Sequence, residues 1–417
     1  MFRNLSYKLT SALSSSEVPT SKNSDEFTKA QRTEQLFPTT DPEVDGDDCL
    51  HDCASCSVKY PRKFDIDETE ELYGHVKGWS THLIVATGKT DWVRDVADEK
   101  GSIMEAVDKG GVTPSNGVSW PQMQMQVCPP PKPSILIVYQ KLMLSASNMP
   151  IPDHSDHSSM VLLLPSWQFI DNVTPSNIPQ LITEYINPGP TNNTPLHASK
   201  TSASPSSTQP LEPPSTNTNS TPPPPPSPLP STLATVPQLT SRPCPHKYLI
   251  LMCSQKTRDA RCGQSAPLLR KEFERLLRPL GLYRDLHDER PGGVGIYFIS
   301  HVGGHKFSAN VMIYRHVSAV QEGREQDSRH GDSTEPNDVG NALTQLEIHD
   351  AAGQQVVFDA DAERAGGGEA AQCIWLARVR PEDCENIIRY TVLQGKVVKP
   401  ERQLRGGFDR CKQLASW

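Results

Sequence analysis

The sequence contains no run of eighteen apolar residues, so no segment is long enough to cross a bilayer as a helix. It has no basic excess: 41 Lys and Arg stand against 49 Asp and Glu, a formal net charge of −8. A mildly acidic chain has no overall electrostatic pull toward nucleic acid or an anionic membrane. The first residues, MFRNLSYKLTSALSSSEV, lack the apolar core of a secretory signal. They hold one Arg, one Lys and no acid before Glu17, which is weakly like a mitochondrial transit peptide, but a polar, disordered start is the favoured reading. Without a secretory signal, the sequons at Asn192 and Asn219 carry no weight. A P-loop is missing as well. Gly88-Lys89-Thr90 would need a Gly five residues before the Gly-Lys pair, and Leu83 stands there. Nothing resembles a substrate pocket with paired acid and base residues, which favours a carrier over a self-contained enzyme.

Proline is abundant, with 38 in 417 residues, so part of the chain cannot bury a core. Residues 1–40, polar and rich in Ser and Thr, read as disordered. Residues 187–245 are Pro, Ser, Thr and Asn, including PPPPPSPLP, and read as a polyproline-II tether that an SH3-type module could bind. Between them, 41–186 reads as a small α/β domain. Its expected strands are His82–Ala86, Ser134–Tyr139 and Met160–Leu164, and its expected helix starts at an Asp91 N-cap. The pair His154 and His157 lies in a polar loop and reads as solvated rather than metal-binding.

A second domain is expected over 246–412. Tyr248–Met252 is a strand that delivers Cys253, and a helix with Pro267 in its first turn follows. Gly295–Ser300 is a strand ending at His301, and Phe307–Tyr314 and Ile374–Val379 are two more. Residues 317–370 read as a loop-rich insertion, a last helix runs from Pro381 to Gly395, and 413–417 form a tail. The fold class expected is α/β (α+β), two domains joined by a disordered linker.

The chain has ten Cys and no sign of an oxidising compartment, a setting in which clustered Cys bind metal or do redox chemistry. Cys253 and Cys262 have C-x8-C spacing, and His301 and His305 have H-x3-H spacing across two Gly. Two thiolates and two imidazoles are a four-ligand set, and the spacing alone suits zinc and an iron–sulfur cluster equally. A nucleophilic Cys–His pair would explain only two of the four residues. Arg258, Arg261 and Lys306 stand beside the ligands in the sequence and would favour a more negative, reduced state, and a charged loop face accounts for them equally well. Cys49, Cys53 and Cys56 form a second, incomplete thiol cluster. It is a candidate for metal binding or thiol–disulfide exchange, or a set of merely reduced thiols.

Three blocks carry a family resemblance: TGKTDWVRDVADEKGS, then CSQKTRDARCG with HVGGHKFSANVMIY, then IWLARVRPEDCENIIRYTVLQGKVV. The chain resembles the sucrase/ferredoxin-like family of thioredoxin-like ferredoxins, particularly its fungal actin-patches-distal branch. The resemblance implies a thioredoxin-like fold for 246–412 and a [2Fe–2S] cluster on Cys253, Cys262, His301 and His305. It also implies an electron carrier for unknown redox partners, linked to stress and actin patches. The tail Leu414-Ala415-Ser416-Trp417 resembles the terminal tripeptide that the cytosolic iron–sulfur targeting complex reads, with Ala415 departing from the usual large aliphatic. That reading expects a cytoplasmic protein, possible also in the nucleus, over a mitochondrial one. The remaining alternatives are a thiol oxidoreductase using Cys49, Cys53 and Cys56, and a zinc-stabilised adaptor.

Overall fold

Continuous apolar runs become strands because both of their faces are covered. The computed structural model describes residues 27–115, 141–151, 158–196, 238–321 and 368–417. Among them, in chain order, lie β1 (Thr28–Lys29), β2 (Trp79–Ala86), β3 (Lys141–Ser147), β4 (Ser159–Leu164), β5 (Gln168–Val173), β6 (Thr240–Pro243) and β7 (Tyr248–Cys253). There follow β8 (Tyr283–Arg284), β9 (Val294–Ile299), β10 (Val311–His316), β11 (Ala370–Leu376), β12 (Leu404–Asp409) and β13 (Leu414–Ala415). All share one mixed sheet in the order β1-β13-β12-β11-β10-β7-β9-β3-β2-β4-β5-β6, with β8 beside β9. The fold is α+β.

One arrangement occurs twice in this sheet. β2 and β3 run parallel around the helix Ile103–Lys109, with β4 antiparallel to β2 and β5 antiparallel to β4. β7 and β9 run parallel around the helix Ala260–Leu277, with β10 antiparallel to β7 and β11 antiparallel to β10. Each unit closes with a Pro-led helical segment that loosens into a π-turn, at Ile182–Ile186 and at Ile387–Val392. A βαβ unit followed by ββα is the topology that a thioredoxin-like resemblance requires of 246–412, and 41–186 has it too.

The segments read as separate domains are therefore two units of one sheet. They meet edge to edge at β3 and β9, where Ser147 pairs with Ile299. The seam is reinforced by the Ser300 N–H on the Ala146 carbonyl (2.8 Å) and the Ala146 N–H on Ser300 Oγ (3.0 Å). An apolar layer with Trp79, Leu162, Leu249, Tyr297, Trp375 and Phe408 runs across both units. On the opposite face, Leu269, Phe273 and Leu277 pack the long helix onto the second unit, and Ile103, Met104 and Val107 pack the short helix onto the first.

Several expectations are corrected. Residues 27–40 are ordered: β1 pairs with β13, and Leu36 and Phe37 are buried against the second unit, which anchors the segment. The linker's two ends also belong to the fold. The Asn192 side chain is buried and donates to the Trp79 carbonyl (3.0 Å), and β6 pairs with β5. Ser102, not Asp91, caps the short helix, accepting from the Glu105 N–H (3.0 Å). The long helix starts well before Pro267, because Asp259 caps it through the Arg261 N–H (2.9 Å). The tail residues Leu414 and Ala415 are a strand. The Ser134–Tyr139 strand, His154, His157, PPPPPSPLP and most of 317–370 lie outside the described residues.

Candidate metal centre

Cys253 is the last residue of β7, and the Asp259 cap puts Cys262 in the first turn of the long helix rather than in a loop. A helix N-terminus favours negative charge, so a thiolate belongs there. Both sulfurs are buried. The thiols hydrogen-bond to each other, and that bond together with Ser308 Oγ, 3.8 Å from Cys262 Sγ, pulls the Cys262 thiol below its usual range. The same bond and burial push the Cys253 thiol far up.

β9 ends one residue before Ser300, and His301 opens the turn that follows. Gly303 and Gly304, at φ 99° and 66°, take the left-handed conformations that bring His305 round to His301. The two imidazole centroids are 5.1 Å apart. Nδ1 of each ring is buried without a hydrogen-bond partner. Native interiors rarely leave such atoms unpaired, so these two ring nitrogens are candidate ligand atoms. His305 Nε2 faces the Asp259 carboxylate at 3.9 Å. Burial, with Arg258, His305 and Arg405 nearby, pushes His301 down to about 4, so its ring is neutral at neutral pH, the form that ligates metal. The His305 side chain is 43% exposed, and this corner of the centre reaches solvent.

The first unit braces this centre. Ser254 Oγ donates to the Thr90 carbonyl (2.7 Å), and the Thr257 N–H and Oγ1 both donate to Asp91 (3.0 and 2.8 Å). Gln255 Nε2 donates to the Val93 carbonyl (2.5 Å), while its Oε1 accepts from the His301 N–H (2.9 Å). The TGKTDWV stretch is thus a clamp for the cysteine loop. Gln255 ties together the clamp, the Cys strand and the His turn.

The expected positive surround is also revised. Arg261 is paired with Asp259 through two 2.9 Å bonds, and Lys306 is paired with Glu70. Sequence reasoning missed Arg405, Asn310 and Gln255. Arg405 Nη1 donates to the Gly303 carbonyl (3.1 Å) and to Asn310 Oδ1 (2.9 Å), and Asn310 Nδ2 donates to the Gly304 carbonyl (3.0 Å). The one available signal was R-G-G at 405–407, where paired glycines announce a close backbone approach.

Cys49, Cys53 and Cys56 lie on the second unit's surface beside the long helix. Cys49 is buried, and Cys53 and Cys56 are half-buried at the rim of a cavity of about 530 Å³ with Tyr60, Phe64 and Arg380. Arg275 Nη2 is 3.8 Å from Cys53 Sγ, yet burial and Glu385 push that thiol up. Burial and Glu272 push Cys56 up to about 11. Both stay protonated at neutral pH and are weak nucleophiles. Among the described residues no three His, Cys, Asp or Glu side chains close on a point as ligands of a single metal ion do. At the tail, Ser416 is buried, bonded to Gly407 at both N–H and Oγ (3.0 Å each), and Trp417 packs on Trp79 with centroids 4.5 Å apart.

The pattern of the sucrase/ferredoxin-like family matches residues 72–406, which takes in both units and their seam. The chain belongs to that family. It is 54% identical over 68 residues to actin patches distal protein 1 of Saccharomyces cerevisiae, a match covering 16% of this chain and 22% of that protein. It is 38% identical over 96 residues to altered inheritance of mitochondria protein 32 of Clavispora lusitaniae, covering 23% and 32%. The corresponding protein of Meyerozyma guilliermondii is 24% identical over 151 residues, covering 36% and 32%. The matches span about a third or less of those relatives. No solved structure matches the chain.

Proposed function

We propose that this protein is a one-electron carrier in which Cys253, Cys262, His301 and His305 hold a [2Fe–2S] cluster. The observation that carries the reading is the pair of orphaned, buried Nδ1 atoms on the turn after β9, with the buried Cys253–Cys262 thiol pair on the neighbouring strand end and helix start. A [2Fe–2S] core takes two ligands on each of two irons, so it wants two pairs rather than a single-ion quartet. Zinc wants four ligands around one point, and no such grouping exists among the described residues. The chemistry the cluster supplies is one-electron transfer, at a potential raised by imidazole in place of thiolate.

This chain's residues have definite parts. Cys262, at the helix N-terminus, and Cys253 are the thiolate donors. Nδ1 of His301 and of His305 are the imidazole donors, which leaves each Nε2 as the atom that gains or loses a proton. The clamp and Gln255 keep both pairs in place, and the exposed edge of His305 is the point of contact with a partner. Proton coupling follows: the midpoint potential falls as pH rises from 6 to 10, and a flat profile would count against the two-histidine ligation.

The test is elemental and spectroscopic. Iron and acid-labile sulfide at two each per chain, with an EPR signal after dithionite, support the cluster. A colourless protein with one zinc sinks it and favours the adaptor. The thiol-oxidoreductase alternative is disfavoured by the raised Cys53 and Cys56 thiols. Activity lost in Cys53→Ser with the cluster spectrum intact would restore it. The names of the relatives refer to actin patches and mitochondrial inheritance, and we extend a role in redox or stress handling near those processes, in the cytoplasm, to this chain. Reading of Ser416 and Trp417 by a targeting complex requires the tail to leave Gly407 and Trp79 first. An SH3-type partner on PPPPPSPLP remains part of this proposal.

A further inference from the structure

Arg405 is a cation without a counter-ion among the described residues. It is 7% exposed, and its guanidinium lies over Trp375 at 4.4 Å and 5.8 Å from the Phe307 centroid. Its hydrogen bonds go to neutral acceptors, the Gly303 carbonyl and Asn310 Oδ1, and its Nε is buried with no partner. Among the described residues no carboxylate pairs with it. Of the other buried arginines, Arg410 has Glu369, while Arg315 and Arg378 also rest on neutral acceptors but at carbonyls away from the His turn: Arg315 on Val392 and Leu393, Arg378 on Asp67 and Glu70. Leaving a guanidinium buried and unpaired is expensive. The backbone makes room for it nonetheless, since a Cβ on Gly304 would come within 2.6 Å of the guanidinium.

We propose that Arg405 is the positioning and charge-balancing residue of the centre, holding the His301–His305 turn and offsetting the negative charge that the centre gains on one-electron reduction. This rests on the cluster reading above. Two thiolates and two neutral imidazoles leave an oxidised [2Fe–2S] centre formally neutral, and the added electron leaves it at −1. The cation then has its partner in the reduced state only, so its cost in the oxidised state becomes a preference for reduction. The electron comes from a one-electron donor, dithionite in the test, and no bond to Arg405 forms or breaks. Arg258, whose Nε is also buried and unpartnered, is a second cation near His301, but its hydrogen bond goes to the Arg94 carbonyl on the clamp (3.2 Å), whereas Arg405 bonds the His turn itself.

The test compares the full chain with R405K, R405Q and R405M by potentiometric titration at fixed pH, with iron and sulfide content and circular dichroism recorded for each. The expected result is that R405Q and R405M fold and load, while their reduced-to-oxidised ratio at the wild-type midpoint falls about tenfold or more, as loss of a nearby partly buried unit charge requires. R405K restores most of that ratio, and the EPR line of R405Q shifts as the His turn relaxes. A folded, loaded neutral variant with the wild-type ratio overturns the assignment. So does a drop in R405K as large as in R405Q, and so does failure of both neutral variants to fold, which would make the residue a support of the fold alone. If the wild type itself carries no iron and sulfide, the cluster reading fails first and takes this proposal with it.

Discussion

The two units of the sheet share a topology and differ in what their loops carry. In the first, the strand β2 runs out into Thr87-Gly88-Lys89-Thr90, and the described residues 87–115 that follow it hold no Cys or His. In the second, the equivalent strand β7 delivers Cys253, and the next parallel strand delivers the His turn. The first unit spends its loop on backbone carbonyls and one carboxylate, aimed at Ser254, Gln255, Thr257 and Arg258. The two units divide the work: the second carries the candidate ligands, and the first braces them across a seam.

The sharpest way to break the comparison is to remove a ligand. His301→Ala or Cys253→Ser abolishes visible absorption and most bound iron, whereas Cys53→Ser and Cys56→Ser leave both intact; iron assay and absorption spectra decide. Next in size is the joint between the units. Gln255→Leu strands the His301 N–H and the Val93 carbonyl, and two unpaired buried groups cost about 3 kcal/mol in denaturant unfolding. An unchanged midpoint would mean the joint is idle.

Acid tests the seam. His82 of the first unit is buried, bonded to Tyr314 Oη of the second (3.0 Å) and to Ser145 (2.9 Å), and burial lowers it from 6.5 to about 3. Between those values the unfolded chain binds the proton and the folded chain does not, so stability falls as pH drops below 6.5. At pH 5 the loss from this group is about 2 kcal/mol, and His82→Gln makes the melting profile shallower by that share between pH 7 and 5, with His246, His301 and His316, each lowered to about 4, carrying the rest. A wild-type profile that is already flat there contradicts this. The smallest effect is expected of Asp91→Ala, an exposed clamp contact, at about 1 kcal/mol, read as a modest drop in melting temperature with full cluster content.

Much of the second unit was legible in the sequence. Apolar runs such as Tyr248–Met252 and Gly295–Ser300 announce covered strands, and Cys and His at strand ends announce their convergence. The first unit's likeness to the second was not legible, because β3 begins inside a mixed run, KLMLSAS, that has no clean period. β1, β6 and β13 are two to four residues long, and polar stretches such as TSRP carry no pattern at all. Pro267 drew the start of the long helix too late, because Pro marks first turns more often than interiors. Arg405 and Gln255 were invisible for a different reason. Nothing in a lone Arg or Gln says that it is buried, and only the fold shows what they touch.

The straps between the units reach further than bracing. β1, which precedes the first unit, is added to the far edge of the second, and β6, which follows the 197–237 segment, is added to the far edge of the first. Each unit therefore wears a strand that belongs in sequence to the other side. A chain cut anywhere in 197–237 would become two polypeptides that each lack an edge only the other can supply. Such halves complement one another as split proteins do. The peptide connection then serves mainly to keep the pieces at high effective concentration.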